Sequence, residues 1–526
     1  MNDSQDTIVA PRVRRYLAGL ASGYFRAIVT VFVTLWLTPF TLRHLDRESF
    51  AVFMLAGDVV TWLALLDLGI TAGLRAQAAR LSASSDPDRL NRLASTAFFV
   101  QAAISVVVLS AGVGIAIGFP RFFPLAPDVQ PEIFRLVFLL ATASAISMGT
   151  QVFSALLVAH QRVHVDNLVG LGALAVRTVV TISLLEAGWR LSALGLAAVA
   201  SALAAAAFSA ARTYRDVPGL RLRPSLVSRT VFGQTARLGV WFTLGGLAGI
   251  MISSLDRVVA GKVLSVESVT SLTLTNRAYV LAGGLLAQIT DTARPVLGQA
   301  LGQRQMARAC RIYRELVMLS GGAAIIVAMS LLAVNDTFVR RWVGVSNYGG
   351  FWLDLALAFN LVAYAWVLPS RAALTANLVA ASQVPIRLLD GFLNLGLSVV
   401  LARAFGLPGV AFGTGIAALA TSMWMMPRLT ARMFSQPFGR FLWADVDRPL
   451  SLALAMVPVV FVSRALAYRV GGFPGVVLAG SLSALAGLVL AWLLLLDRDL
   501  KARATELLRS HGIAPWRRWF LRGRSS

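Results

Sequence analysis

"LLDLGITAGLRAQAARL", Leu65–Leu81, starts inside an apolar run and ends in a basic one. Asp67 stands about two helical turns before the first arginine, Arg75, where the chain should still be in hydrocarbon. Gly69 and Gly73 lie between the two. A run of leucines broken by one carboxylate and closed by Arg75 and Arg80 reads as the inner end of a membrane span meeting a cytoplasmic rim. Glycines at such a place allow close helix packing or a bend.

The composition extends that reading to the whole chain. Of 526 residues 57% are hydrophobic and only 14% charged, a balance that leaves too little polar surface for a soluble fold and makes lipid the main solvent. A net charge of +23 would ordinarily suggest nucleic acid. Here the arginines are spread through the loops between apolar spans instead of forming one basic face, so no nucleic-acid partner is expected. One cysteine, Cys310, excludes an intramolecular disulfide framework and a cysteine metal cluster. The lead "MNDSQDTIVAPRVRRYLAGL" lacks the short apolar core and small-residue site of a cleaved signal, so the first span is expected to be retained.

A span needs about 20 mainly apolar residues. On that measure the sequence predicts an all-α polytopic membrane protein of about 14 transmembrane helices. The spans fall at 17–41, 49–73, 93–119, 133–159, 168–187 and 191–211, then 238–262, 267–292, 315–336, 351–378, 387–405 and 407–427, then 449–468 and 473–496. This gives an N-terminal six-helix bundle at 1–211, a basic cytoplasmic linker at 212–237 and a second six-helix bundle at 238–427. A further basic linker at 428–448, a transmembrane pair at 449–496 and a basic cytoplasmic tail at 497–526 complete the order. With the N-terminus inside, the cytoplasmic side holds roughly 30 basic residues and the other side about nine, including Arg43, Arg47, Arg121, Lys262, Arg340 and Arg341. That bias favours an even number of spans with both termini cytoplasmic. A faint repeat supports two like bundles: "LRHLDRESF" and "GKVLSVESV" align Arg43 with Lys262, Glu48 with Glu267 and Asp58 with Arg277.

Ionisable side chains at helix centres cost about 2.5–3.5 kcal/mol each and so need a reason. Counting from span ends, Arg26, Asp58, Arg177 and Arg277 lie deepest, about 13–15 Å in, and Asp67, Asp256 and Arg371 about 10 Å in. Arg135, Glu186, Asp291, Asp354, Asp390 and Arg464 lie near span ends and snorkel to the headgroups. Two readings fit the deep set: Arg–Asp pairs that hold helices together, or a wet cavity that handles an anion and a coupling ion. Spans one and two fold back about residue 45, which brings Asp67 within a guanidinium's reach of Arg26, and that pair is expected. Asp58 and Asp67, nine residues apart, face opposite sides of a regular helix and so have different roles. Arg177 and Arg277 have no carboxylate at matching depth other than Asp58. Cations left without partners make sense if the missing anion is the ligand, and guanidinium forks suit phosphate oxygens. His160 and His164 in "HQRVH" have metal-ligand spacing but no third ligand nearby, so they read as part of a cytoplasmic turn, and no metal site is expected. No catalytic motif is present, and no loop is long enough for a catalytic domain.

Three stretches, "FTLRHLDRESFAVFMLAGDVVTWLALLDLGITAGLRAQAARL", "ISSLDRVVAGKVLSVESVTSLTLTNRAYVLAGGLL" and "LARAFGLPGVAFGTGIAAL", occur in order on the right spans. Together they resemble the polysaccharide-biosynthesis, O-antigen (Wzx-type) flippases of the multidrug/oligosaccharidyl-lipid/polysaccharide exporter superfamily. The resemblance covers nearly the whole chain and implies two six-helix bundles in a V around a cationic cavity, with a C-terminal helix pair appended. It implies a flippase, not an enzyme, in the bacterial inner membrane. The implied substrate is a polyprenyl-pyrophosphate-linked oligosaccharide, the repeat unit of an O-antigen, lipopolysaccharide or exopolysaccharide. The implied mechanism is antiporter-like alternating access coupled to a proton or sodium ion, with no other cofactor. A polymerase and glycosyltransferases of the same pathway, together with membrane lipids, are the expected partners. Arg26, Arg177, Arg277 and Arg371, taken by depth and charge, are the expected anion contacts. Asp58, then Asp67 and Asp256, are the expected ion- or proton-coupling carboxylates. A cation-coupled multidrug exporter of the same superfamily, a membrane polysaccharide polymerase or ligase, and a purely structural assembly protein are the alternatives. The arginine-rich interior disfavours the first, the short outer loops disfavour the second, and the third leaves the deep charges unexplained.

Overall fold

Successive apolar stretches separated by glycine, proline and arginine turns fold into helix after helix. The computed structural model describes residues 3–84, 86–123, 130–377 and 380–495, and among these it contains sixteen α-helices and no strand. In chain order they are α1 Asp3–His44, α2 Arg47–Thr61, α3 Ile70–Ser84, α4 Pro87–Phe122, α5 Gln130–Ala159, α6 Val163–Glu186, α7 Arg190–Asp216 and α8 Arg229–Val259. They continue with α9 Val266–Gly302, α10 Met306–Val343, α11 Phe351–Ala376, α12 Val384–Phe405, α13 Leu407–Ala420, α14 Ser422–Met433, α15 Phe438–Val470 and α16 Gly472–Leu494. The basic tail expected at 497–526 lies outside the described residues, as does the middle of the outer loop at 124–129.

Local signals set the helix starts. Asp46 caps α2 by accepting from the Ser49 amide at 2.7 Å, and Asp86 caps α4, with Pro87 at its first position, by accepting from the Arg89 amide at 3.0 Å. Burial pulls the Asp46 carboxyl upward, but the bonds from Ser49 and the Arg190 charge outweigh it and hold it below the ordinary carboxylate value.

Twelve helices are long and apolar enough to cross a membrane, and α8 with its continuation makes thirteen: Arg229–Ala236 and Gly239–Leu264 form one span bent by 44°. All thirteen coincide with predicted spans. The remaining prediction, 267–292, falls within α9, a helix of 37 residues. Asn276, Arg277, Gln288, Asp291 and Arg294 make it too polar to count by apolarity alone. Helix surfaces carry the mark of a lipid solvent. Phe25, Ile28, Phe32 and Trp36 run down one exposed stripe of α1, and Leu450, Leu454 and Phe461 do so on α15.

The helices gather into two compact units. The first is drawn from Met1–Arg277, Trp342–Ala356 and Leu378–Met425, the second from Ala278–Arg341, Leu357–Asn377 and Met426–Ser526. In the first, α5 packs on α4 and α7, α6 on α7 and α1, α3 on α4, α5 and α8, and α12 on α8 and α13. One of its cores joins Ile70 and Leu74 of α3, Leu93 of α4 and Val152, Phe153 and Leu156 of α5. In the second unit α15 pairs with α16, and Leu297, Tyr313, Val317, Ala373, Phe434 and Phe441 form a separate core.

Candidate functional site

The segment that opened the sequence reading departs from a regular helix. After α2 the chain tightens into a 3₁₀ turn at Trp62–Asp67, then Leu68 (φ 50°) and Gly69 (φ 70°) enter the left-handed region before α3 begins. Leucine there is strained, and glycine supplies the conformation at little cost. The break lets α3 cross α8 backbone to backbone. A Cβ on Gly69 would lie 2.2 Å from the Gly239 carbonyl oxygen, and one on Gly239 would lie 2.3 Å from that of Leu68. One turn on, Gly73 faces Thr235, whose hydroxyl accepts from Gln77 at 3.0 Å.

The same break redirects Asp67. Its carboxylate accepts from the Thr71 amide (3.2 Å), the Thr71 hydroxyl (2.8 Å) and the Gln101 side chain of α4 (3.2 Å), and the Thr71 hydroxyl oxygen also lies 2.7 Å from the Gln151 side chain. The expected Arg26–Asp67 pair does not form. Arg26 lies instead across Gly170 of α6, where an added Cβ would meet its guanidinium carbon at 2.5 Å. A straight second helix was assumed, and the 3₁₀ turn with its left-handed exit rotates Asp67 onto polar neighbours.

Asp58, by contrast, faces a cavity of about 370 Å³ in the first unit. α1 contributes Thr34, Thr38 and Thr41 to its wall, α2 Asp58 and Thr61, and α6 Arg177, Thr178 and Thr181. Arg257 of α8 and Arg277 of α9 complete the charged lining. Arg257, which the sequence reading missed, holds the buried Asp58 in a two-pronged bridge, Nε to Oδ2 and Nη2 to Oδ1, both at 2.5 Å. This is the geometry a guanidinium offers a carboxylate, and it neutralises both charges. Its consequence falls on the other two arginines. Asp58 was the only carboxylate at matching depth, and it is taken. Among the described residues Arg177 and Arg277 have no ion-pair partner, and the Nε of Arg277 is buried without a hydrogen bond. The wall thus carries two uncompensated guanidinium groups, donors suited to phosphate oxygens, while the hydroxyls of Thr38, Thr41, Thr61 and Thr178 donate to carbonyls of their own helices. Asp58 and Arg277, matched by the sequence repeat, both line it.

Polar contacts tie together the helix ends beyond the cavity. Arg47 donates to Ser271 at 3.0 Å and accepts on its carbonyl from Thr270 at 2.7 Å, and Lys262 donates to the Phe122 carbonyl at 2.5 Å. The remaining predicted residues lie elsewhere. Asp256 accepts from Thr414 of α13 at 2.9 and 3.1 Å, and Thr414 also meets the Asn394 amide oxygen of α12 at 2.9 Å. Arg26 and Arg371 are not among the residues lining the cavity, and Arg371 belongs to the second unit. Among the described residues, no three His, Cys, Asp or Glu side chains are placed to hold a metal ion.

The fold built around this cavity is similar to those of several solved membrane proteins. A structure of the lipid II flippase MurJ in an inward closed conformation superposes with a TM-score of 0.67 at 13% identity, covering 91% of this chain and 98% of that one. An inward-facing multidrug resistance MATE family transporter gives 0.62 at 15% identity over 78% and 95%. A MOP superfamily transporter from Pyrococcus furiosus, described by the reverse polarity of its binding pocket, gives 0.59 at 14% over 81% and 96%. Among curated proteins, the uncharacterized membrane protein EpsK of Bacillus subtilis is 21% identical over 450 residues, 81% of this chain and 85% of its own length. No family model matches the sequence.

Proposed function

We propose that the chain is a flippase that moves a polyprenyl-pyrophosphate-linked oligosaccharide, an O-antigen or exopolysaccharide repeat unit, across the bacterial inner membrane by alternating access. One observation carries this reading: Arg177 and Arg277 line one cavity without counter-charge, because Arg257 has already taken the nearby carboxylate. A pyrophosphate brings the missing charge and meets both guanidinium groups with paired oxygens. Organic cations, the substrates of a multidrug exporter, would be repelled by the same wall. The name of the lipid II flippase above, a protein of like fold, agrees with a lipid-linked cargo. Arg26 and Arg371 then serve the path of the anion beyond the cavity. The groups at 1–211 and 238–427 act as the alternating halves, with both termini cytoplasmic and the pathway's glycosyltransferases and polymerase as partners.

Coupling to a proton or sodium ion is best assigned to Asp256. Thr414 and Asn394, its neutral partners from two further helices, leave it without an ion pair among the described residues, whereas Arg257 occupies Asp58. The test is flipping of a fluorescent polyprenyl-pyrophosphate sugar in proteoliposomes. Losing one charge-assisted contact costs about 1.5–3 kcal/mol, so Arg177→Ala and Arg277→Ala should each slow flipping about 10- to 100-fold. Arg277→Lys, which keeps the charge but loses the fork, should fall in between. A double Arg177→Ala, Arg277→Ala variant of normal abundance that flips at the parental rate would overturn the site.

A further inference from the structure

The second unit holds a carboxylate that nothing above uses. Asp445 of α15 is 1% exposed, and neither of its oxygens has a hydrogen-bond partner. Its helix docks on an apolar core in which Phe441 stacks on Tyr313 of α10 at 5.3 Å between ring centres, with Phe434, in the turn after α14, completing the aromatic group. The titratable and charged groups around it are Cys310, Tyr313 and Arg314 on α10 and Asp447 on its own helix. Tyr313 is engaged with Ser370 of α11 at 3.1 Å. Arg314 is the sole cation of that set. It forms no ion pair with Asp445 within the usual distance, lies over the Phe441 ring at 5.8 Å, and has a buried Nε without a partner.

An ionised carboxylate cannot stay in such a place. Each of its oxygens would need a donor, and desolvation is far more costly for the anion than for the acid. A sodium ion fits no better: among the described residues no three His, Cys, Asp or Glu side chains are grouped to hold an ion, and the Arg314 cation acts on the same carboxylate. We infer that Asp445 is a proton-binding site: it holds a proton while α15 is docked on α10, and losing that proton drives the carboxylate toward Arg314 and loosens the aromatic core between the two helices. The balance is simple. The carboxylic acid releases one proton to water, and the anion left behind is compensated by the guanidinium. The site is distinct from the arginine-lined cavity in the other unit, and the inference stands whether or not that cavity binds a pyrophosphate.

The chain carries its own reporter. Cys310, the single cysteine, packs at the margin of this core, so its reactivity follows whether the core is open. The experiment uses the full chain in lipid nanodiscs and reads maleimide labelling of Cys310 relative to a free small thiol at each pH, with Asp445→Asn as the control for the upward shift that burial gives the Cys310 thiol. Relative labelling should rise severalfold from mildly acid to alkaline pH in the parent. In Asp445→Asn, whose amide mimics the neutral acid in shape, the rise should be severalfold smaller than in the parent. Infrared difference spectra over the same range should contain a protonated carboxyl band that titrates away in the parent and is missing from Asp445→Asn. Parent and variant that label alike at every pH, or a carboxyl band unchanged by the substitution, would overturn the proposal.

Discussion

Arg257 and Asp58 show how one residue sets the chemistry of its neighbours. Their bridge lies in the cavity wall with the Asp58 side chain buried and that of Arg257 mostly so, where removing one partner strands a charge. Asp58→Ala or Arg257→Ala should each destabilise the protein by about 3–5 kcal/mol, seen as a lower midpoint of thermal unfolding in detergent. The double replacement Asp58→Leu with Arg257→Met leaves no orphan charge and should be markedly less destabilising than either single change. Additive losses across Asp58→Leu, Arg257→Met and their double would mean that the two side chains act independently. Depth in the sequence identified Asp58, Arg177 and Arg277, because charges in the middle of apolar spans stand out. It passed over Arg257, which lies closer to the end of its span and beside Asp256. Which arginine takes the one available carboxylate depends on how α2 and α8 meet, and a single span does not contain that information.

At the scale of the element, the crossing of α3 over α8 rests on two glycines with different demands. Gly69 needs a left-handed backbone (φ 70°) as well as space, since a Cβ there would meet the Gly239 carbonyl oxygen at 2.2 Å; Gly239 needs space alone. Gly69→Ala should therefore cost more than about 2 kcal/mol, with Gly239→Ala somewhat milder. Gly114, within α4 and with nothing inside 4 Å of an added Cβ, is the contrasting case: alanine there should be neutral or stabilising by up to about 1 kcal/mol. The midpoint of thermal unfolding checks all three, and equal effects at Gly69 and Gly114 would dismiss the crossing as the reason. Helix existence was legible along the chain because each apolar run is bounded by arginines, glycines or prolines. At Gly69 the sequence allowed close packing or a bend, and both occur; the turn that precedes it was not legible. The 3₁₀ turn at Trp62–Asp67 reads "WLALLD", which carries no breaker, and the glycine that permits its exit lies two residues beyond. Only the demand that α3 approach the backbone of α8 explains why the chain turns there.

The whole molecule turns on the helix whose composition is least convincing. Thirteen helices satisfy length and apolarity, and α9 joins them only if its polar residues face protein or water instead of lipid. Arg277 at the cavity wall gives one such residue its reason. The parity of the chain then decides the matter. If α9 spans, the turn at 303–305 lies on the side opposite to Ser265, and the arginines Arg304, Arg308 and Arg311 fall on the basic side with those of 212–237. If it does not, everything after Ser265 is inverted, and those arginines face outward against the positive-inside bias. Single cysteines in a Cys310→Ser background provide the measurement, read with a thiol reagent that cannot cross membranes. Gly188, Ser265 and Ser346 should label from outside intact cells, and Gln161, Gly219, Gln303 and Ser435 only after the membrane is opened. Labelling of Gln303 and Ser265 from the same side would remove α9 from the spans and, with it, the geometry that brings Arg277 to the anion.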